Sequence, residues 1–226
     1  MSNSNSPRSY PAMPSREEIL RRIGLPSDVP EQLVVTPLID PDRRVQDATI
    51  DLRLGTEFIV TRRSKITSLD PLEERESQGS KILEYQEKIH VNIGSRFILH
   101  PHQFVLGGTF EYLKMPVDML AYVLGRSSWG RVGLVIATAT VVHPSYAGII
   151  TLELTNVGDT PIVLYPGIRV AQLAFHQIFM TTEEKRMKWE KARKEKTKYK
   201  ASVGPQFSKF YDDDDLDMVE KLKDEE

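Results

Sequence analysis

From about residue 48 the apolar residues of this chain recur with a period of two, and that change of period constrains the fold more than any other feature. Ile50, Leu52 and Leu54 alternate with Asp51 and Arg53, then Ile89, Val91 and Ile93 alternate with His90 and Asn92. Successive side chains of a strand point to opposite faces, so this pattern predicts strands with one buried face. Further strand-like runs follow at 97–99, 104–106, 119–123, 135–142, 149–155, 162–164 and 169–175. Gly107-Gly108, Asn156-Val157-Gly158-Asp159 and Pro166-Gly167 read as the turns between them. Many short strands with regular punctuation predict a mainly β, antiparallel sandwich or barrel-like domain.

The flanks read differently. Residues 1–14 carry Ser, Asn and Pro with little to bury, which predicts a disordered tail. Ser15 and Glu18 have capping-box spacing, Ile19, Leu20 and Ile23 share a helical face, and Gly24 with Pro26 stops the helix. Residues 65–85 are polar and charged and read as a long surface loop. The β domain is therefore expected over 15–181. Beyond it, residues 183–200 hold nine Lys and Arg against four Glu, a basic segment of helical character. Residues 201–226 reverse the sign, with three Lys against nine acids and the run Asp212-Asp213-Asp214-Asp215.

Composition removes several function classes. A chain of 226 residues with 40% apolar content builds one sizeable core. A formal charge of -2 argues against a protein that coats nucleic acid, so no nucleic-acid partner is expected and any anion site must be local. Cysteine is absent, which excludes a cysteine nucleophile and the paired cysteines with which zinc-dependent deaminases hold their metal. Any deamination by this chain proceeds without thiolate-bound zinc. The N-terminal stretch lacks the apolar core of a secretory signal and no 18-residue apolar run occurs, so a cytoplasmic protein without a membrane partner is expected.

Four constellations carry chemistry. Glu153 lies between Leu152 and Leu154, and on a strand it faces opposite Ile150, Leu152 and Leu154. Burial there raises a carboxyl toward general acid/base range; a plain solvent-facing Glu fits the same alternation. Gly125-Arg126-Ser127-Ser128-Trp129-Gly130-Arg131 joins two strand candidates and offers two hydroxyls and two guanidinium forks suited to phosphate, although Gly-Ser turns are common in neutral loops. His143-Pro144-Ser145-Tyr146-Ala147-Gly148 links two strands, and a simple turn with a packed Tyr146 and an exposed His143 explains it equally well. Lys198-Tyr199-Lys200, followed by Gly204, Phe207, Phe210 and Tyr211, suits an arm that folds over an anion, or merely a solvated charge run.

Taken in chain order, these segments resemble the dCTP deaminase family of the trimeric dUTPase-like superfamily. The resemblance rests on Gln46 to Gly55, Gly125 to Arg131, His143 to Asn156, Pro166-Gly167, and Lys198-Tyr199 with Gly204, and spans residues 46–211. It implies a distorted jelly-roll subunit, assembly as a homotrimer with sites between subunits, and a C-terminal arm, within 182–226, that closes over a deoxynucleoside triphosphate. It also implies Mg²⁺ carried chiefly by the triphosphate, with no protein metal ligand to name. By the same resemblance Glu153 is the proton shuttle for attack of water at C4 of cytosine, while Ser127 and Arg131 hold the water and orient Glu153. Arg126, Ser128, Thr140, His143, Tyr146, Gln172, Lys198 and Ser202, together with Ser127, fall at nucleotide-contacting positions.

Three departures from the family pattern bear on the reaction. His143 stands where dUTP diphosphatases usually carry the Asp that activates the hydrolytic water, which weakens pyrophosphate hydrolysis as the activity. The stretch 135–140 follows a variant branch. Ser202 replaces a common Gln. The leading expectation is deamination of dCTP to dUTP and ammonia, because Glu153 and Arg131 occur together. The rivals are a dUTP diphosphatase, a bifunctional enzyme converting dCTP to dUMP, and a non-catalytic nucleotide-binding regulator; the first two release pyrophosphate and the last turns over nothing.

Overall fold

The computed structural model describes residues 13–62, 66, 68–77, 79–137, 141–194, 203–213 and 215–224. Among the described residues twelve strands carry the architecture: β1 (Val34–Thr36), β2 (Val45–Gln46), β3 (Thr49–Thr61), β4 (Gln86–His90), β5 (Phe97–Leu99) and β6 (Phe104–Lys114). They continue with β7 (Met119–Gly125), β8 (Leu134–Ile136), β9 (Val141–Val142), β10 (Ala147–Asn156), β11 (Ile162–Leu164) and β12 (Arg169–Gln177). The helices are α1 (Arg16–Ile23), α2 (Pro41–Arg44), α3 (Pro71–Glu76), α4 (Ser80–Tyr85), α5 (Ser127–Gly130), α6 (Thr182–Lys194) and α7 (Leu216–Asp224).

All recorded strand pairings are antiparallel, and the main path runs β8-β10-β6-β3-β12-β7-β9. Strand β3 is the hinge of this path. Its first half pairs with β12, from Thr49↔Ala174 to Arg53↔Arg169, while its second half pairs with β6 at Phe58↔Gly107 and Val60↔Val105. The sheet therefore curls through β3 into two faces over one core, the distorted jelly-roll expected. Sharing β3 between both faces buries six consecutive residues, Ile50 to Gly55. Asp51 and Arg53, which the alternation would send toward water, lie inside with partners of opposite charge. The core between the faces includes Leu52, Leu54, Leu152, Leu154, Leu173 and Phe175, each fully buried, and a stacked Phe58–Phe97 pair 4.6 Å apart. Each such side chain contributes about 1.5–3 kcal/mol relative to exposure.

Helix α1 starts as its sequence dictates: the Glu18 amide donates to Ser15 Oγ at 3.3 Å, and the Gly24 amide closes the C-terminus on Leu20 O at 3.1 Å. Its inner face holds Arg22 as well as Ile19. Arg22 donates to both carboxylate oxygens of Asp118 at 2.5 and 3.1 Å, and Lys185 of α6 reaches the same carboxylate at 2.9 Å. This ion cluster ties α1 and α6 to the turn before β7.

Three expectations need correction. Residues 65–85 are not simply a loop, since α3 and α4 form there; Asp70 caps the Leu72 amide at 2.9 Å and Pro71 occupies the first turn, a start signal hidden in a polar stretch. Gly107-Gly108 is not a turn but lies within β6, where Gly107 admits Leu54 and Leu154 of the core and Gly108 admits Pro205 on the other face. The run 135–142 is not one strand: β8 ends at Ile136 and β9 starts at Val141. Among the described residues no helix is long and apolar enough to cross a membrane.

Candidate active site

Strand β10 places Glu153. Its burial alternates strictly, with Ile150, Leu152 and Leu154 in the core and Thr151, Glu153 and Thr155 half-buried on the other face. Leu106 of β6 pairs with Glu153, and the Ala137 amide just past β8 donates to Glu153 O at 2.9 Å. The backbone on both sides is thus committed. The Glu153 carboxylate itself makes no hydrogen bond or ion pair among the described residues, and desolvation raises its pKa above the ordinary glutamate range. A carboxylate held there is a stronger base than one in water.

A second segment comes to the same face. The Gln206 amide donates to Thr151 Oγ1 at 3.1 Å, and Thr151 is the same-face neighbour of Glu153 two residues earlier. Gly108, paired with Thr151, makes this approach possible: a Cβ there would meet Pro205 Cδ at 3.0 Å. Pro205 and Gln206 therefore lie over β6 and β10 at Gly108 and Thr151, two residues along the strand from Glu153. Sequence reasoning missed Thr151, Gly108 and Gln206 as members of this region; the one signal was a pair of glycines inside an otherwise strand-like run.

The segment from Gly125 to Arg131 forms a tight bend at the end of β7. Arg126 is extended (φ -80°, ψ 133°), Ser127–Gly130 make one helical turn, and the Arg131 amide closes it on Ser127 O at 3.1 Å. Trp129 anchors the bend by donating from Nε1 to Arg169 O at 2.8 Å while its ring packs on the core. With the indole fixed, Ser127, Ser128 and Arg131 are presented to solvent, and Arg131 makes no ion pair among the described residues. Arg126 is turned inward, its Nη1 3.9 Å from Asp51. Gln172, on the neighbouring β12, donates to the same Asp51 at 3.1 Å.

The turn from His143 to Gly148 leaves His143 exposed, with its carbonyl accepting from the Tyr146 amide at 3.1 Å. Tyr146 packs against the core and donates its hydroxyl to Ile149 O at 2.7 Å; desolvation pushes that phenol up to about 12. The phenol is neutral at physiological pH and already committed to its own turn. Thr140, Lys198 and Ser202 lie outside the described residues.

A family model described as dCTP deaminase-like matches residues 14–178. The chain belongs to the dCTP deaminase-like family. Among relatives, a dCTP deaminase of Natronomonas pharaonis is 41% identical over 182 residues, 80% of this chain and 88% of the relative. One of Haloarcula marismortui is 42% identical over 202 residues, covering 88% and 95%. A protein of Dictyoglomus turgidum named dCTP deaminase, dUMP-forming, is 38% identical over 180 residues, covering 79% and 87%. The fold is shared with the 2'-deoxycytidine 5'-triphosphate deaminase of Agrobacterium tumefaciens, at a TM-score of 0.55 and 20% identity. That match covers 80% of this chain and 53% of the other.

Proposed function

We propose that this protein deaminates dCTP to dUTP and ammonia, with Glu153 as general base and then general acid. The observation that carries the reading is the Glu153 carboxylate, half-buried between core leucines, raised in pKa and unpaired among the described residues. Glu153 takes a proton from water as the oxygen bonds to C4 of the cytosine ring. It then delivers that proton to N3, and the amino group leaves as ammonia with the proton relayed from the new hydroxyl. Proton transfer of this kind contributes about 10²–10⁴ in rate.

Ser127 and Arg131 position the water and Glu153 from a second copy of the chain in a homotrimer. Two features support this arrangement. Arg131 is exposed and without an ion pair among the described residues, and the strands beside its bend expose Tyr122, Leu124 and Val135 at 43%, 48% and 40%. Exposed apolar side chains clustered on strands suit an interface rather than a solvated face. Arg126, Ser128 and Lys198 bind phosphate, while Thr140, His143, Tyr146, Gln172 and Ser202 stand at further nucleotide-contacting positions, Tyr146 through its ring rather than its committed hydroxyl.

Mg²⁺ enters with the triphosphate. An ion that keeps several waters and needs few protein ligands suits that route. When bound, Mg²⁺ neutralises phosphate charge; the proton transfers remain with Glu153.

Incubation of the purified protein with dCTP and Mg²⁺, with products resolved, tests the reading: dUTP and ammonia are expected, and absence of both dUTP and dUMP at high enzyme concentration rejects it. One observation favours a second reading, conversion of dCTP to dUMP: the 38% identical relative of Dictyoglomus turgidum is named dUMP-forming. Release of pyrophosphate alongside ammonia decides for it. The exposed His143 in place of an aspartate favours dUTP as the product.

A further inference from the structure

The pairing of β2, β3, β12 and the end of β7 brings three arginines from separate segments round one carboxylate. Val45 pairs with Ile50, so the preceding residue, Arg44, falls level with Asp51 on one side. On the other side Gln172 pairs with Asp51, and the Arg126 amide donates to Val170 O at 3.2 Å. Arg169 Nη1 lies 2.8 Å and Arg126 Nη1 3.9 Å from Asp51 Oδ2. Asp51 is 2% exposed, whereas the Arg126 and Arg169 side chains are 25% and 39% exposed. The carboxylate is closed off and the cations stand between it and water.

The charges do not balance. The nearby Arg53 is neutralised by Glu111, which accepts from its side chain at 2.5 Å and its amide at 2.9 Å. Arg44, Arg126 and Arg169 share Asp51, and Glu111, already bound to Arg53, is the further acid that acts on Arg44. One guanidinium nitrogen of Arg44, Nη1, is shut off from solvent and has no hydrogen-bond partner among the described residues. Desolvation, with Arg169 and Arg53 close by, lowers the Arg44 pKa. The Asp118 cluster is the contrast: there Arg22 and Lys185 meet Asp118, Glu18 and Glu31, so both cations are ion-paired. Three guanidinium groups held around one acid repel one another until an anion joins them, and their planar forks match phosphate oxygens.

We propose that Arg44, Arg126 and Arg169, organised by the buried Asp51, form a cradle for the phosphate chain of the nucleotide, with Arg44 and Arg169 as phosphate-binding residues beside the loop arginine. The inference rests on the nucleotide reading of the site. Asp51 and Gln172 hold the forks in place, and the surplus of positive charge selects a polyphosphate over a monophosphate.

The test is calorimetric titration of the full chain with inorganic tripolyphosphate, beside steady-state kinetics with dCTP. Arg44→Gln and Arg169→Gln are each expected to weaken tripolyphosphate about tenfold or more and to raise the KM for dCTP comparably, with kcat little changed. Arg169→Lys, which keeps the charge but not the fork, is expected to retain part of the binding. Melting temperatures near that of the unaltered chain show that the variants are folded. dCTP is expected to displace tripolyphosphate, which makes the nucleotide the source of the phosphates. Unchanged tripolyphosphate affinity in both Gln variants, or simultaneous binding of dCTP and tripolyphosphate, overturns the proposal. Loss of tripolyphosphate binding in variants of a chain that never deaminates dCTP would leave the cradle standing and reject the deaminase reading alone.

Discussion

Two carboxylates deep in this protein are treated in opposite ways. Asp118 is fully buried, and although desolvation pushes its pKa up, hydrogen bonds from Arg22 and Lys185 more than reverse the effect, so it stays ionised. Glu153 is only half-buried, yet its pKa rises, because desolvation acts on it with no cation among the described residues to answer. A paired buried charge is a structural part, and removing one partner strands the other. A desolvated carboxylate left unpaired among the described residues is poised to exchange a proton. Burial alone does not separate the two cases; the partner does.

The sharpest way to break this contrast is Glu153→Gln. A fall in kcat of about a thousandfold is expected, with the melting temperature kept or slightly raised because a desolvated charge is gone. Turnover surviving in the Gln variant would remove Glu153 from the chemistry. Asp118→Asn is expected to do the reverse. It takes the buried carboxylate away from Arg22 and Lys185, leaving Arg22 with Glu18 alone, and costs about 3–5 kcal/mol in urea unfolding, while activity per folded molecule is kept.

Acidification separates the regions without mutation. Because the Glu153 pKa is raised, kcat/KM is expected to fall as pH drops through a value above the ordinary 4.5. Glu18 and Asp118 have depressed pKa values, so the stability they contribute is present above their unfolded values and lost only as pH falls through the folded ones. For Glu18, whose pKa hydrogen bonding from Arg21 brings down to about 2, that window runs from 4.5 to about 2. Activity should therefore vanish at a pH where circular dichroism still reports a folded protein. Coincident loss of the two signals would contradict the assignment.

The smallest expected effect concerns the acidic end. Arg75 of α3 donates to Asp217 at 2.6 Å and to the carbonyls of Tyr211 and Asp213 at 3.2 and 2.7 Å. Because the ion pair is exposed to screening by solvent, Arg75→Ala is expected to change stability little. Faster limited proteolysis beyond residue 203 is the sensitive readout, and an unchanged cleavage pattern would mean that Arg75 does not hold this end.

Much of the fold was legible in local pattern. The Ser15 cap and the alternation around β10 need only neighbours in sequence, and both appear where that chemistry puts them, although the Glu18 carboxylate accepts from Arg21 and Arg22 rather than completing the box. The helices at 71–76 and 80–85 were hidden by their polarity, and only the Asp70-Pro71 cap announces the first of them. Gly107-Gly108 misled because a glycine that opens a turn and a glycine that admits a neighbouring backbone look identical in one dimension. In the candidate site, Glu153 and the Gly125–Arg131 bend were visible as residue types. Thr151 and Gln206, 55 residues apart, meet only through the folded chain.

By itself the sequence determined the periods, the caps and the family to which the chain belongs, because these depend on residue order over short spans or on motifs kept in order. Only the tertiary structure decided what each charge does. Asp51, Asp118 and Glu153 are indistinguishable carboxylates along the chain; one gathers three arginines, one is neutralised by a helix on each side, and one is left desolvated beside the C-terminal stretch. The reason is physical: electrostatic energy depends on distance and solvent access, and neither exists until β3 curls the sheet and the helices close on it.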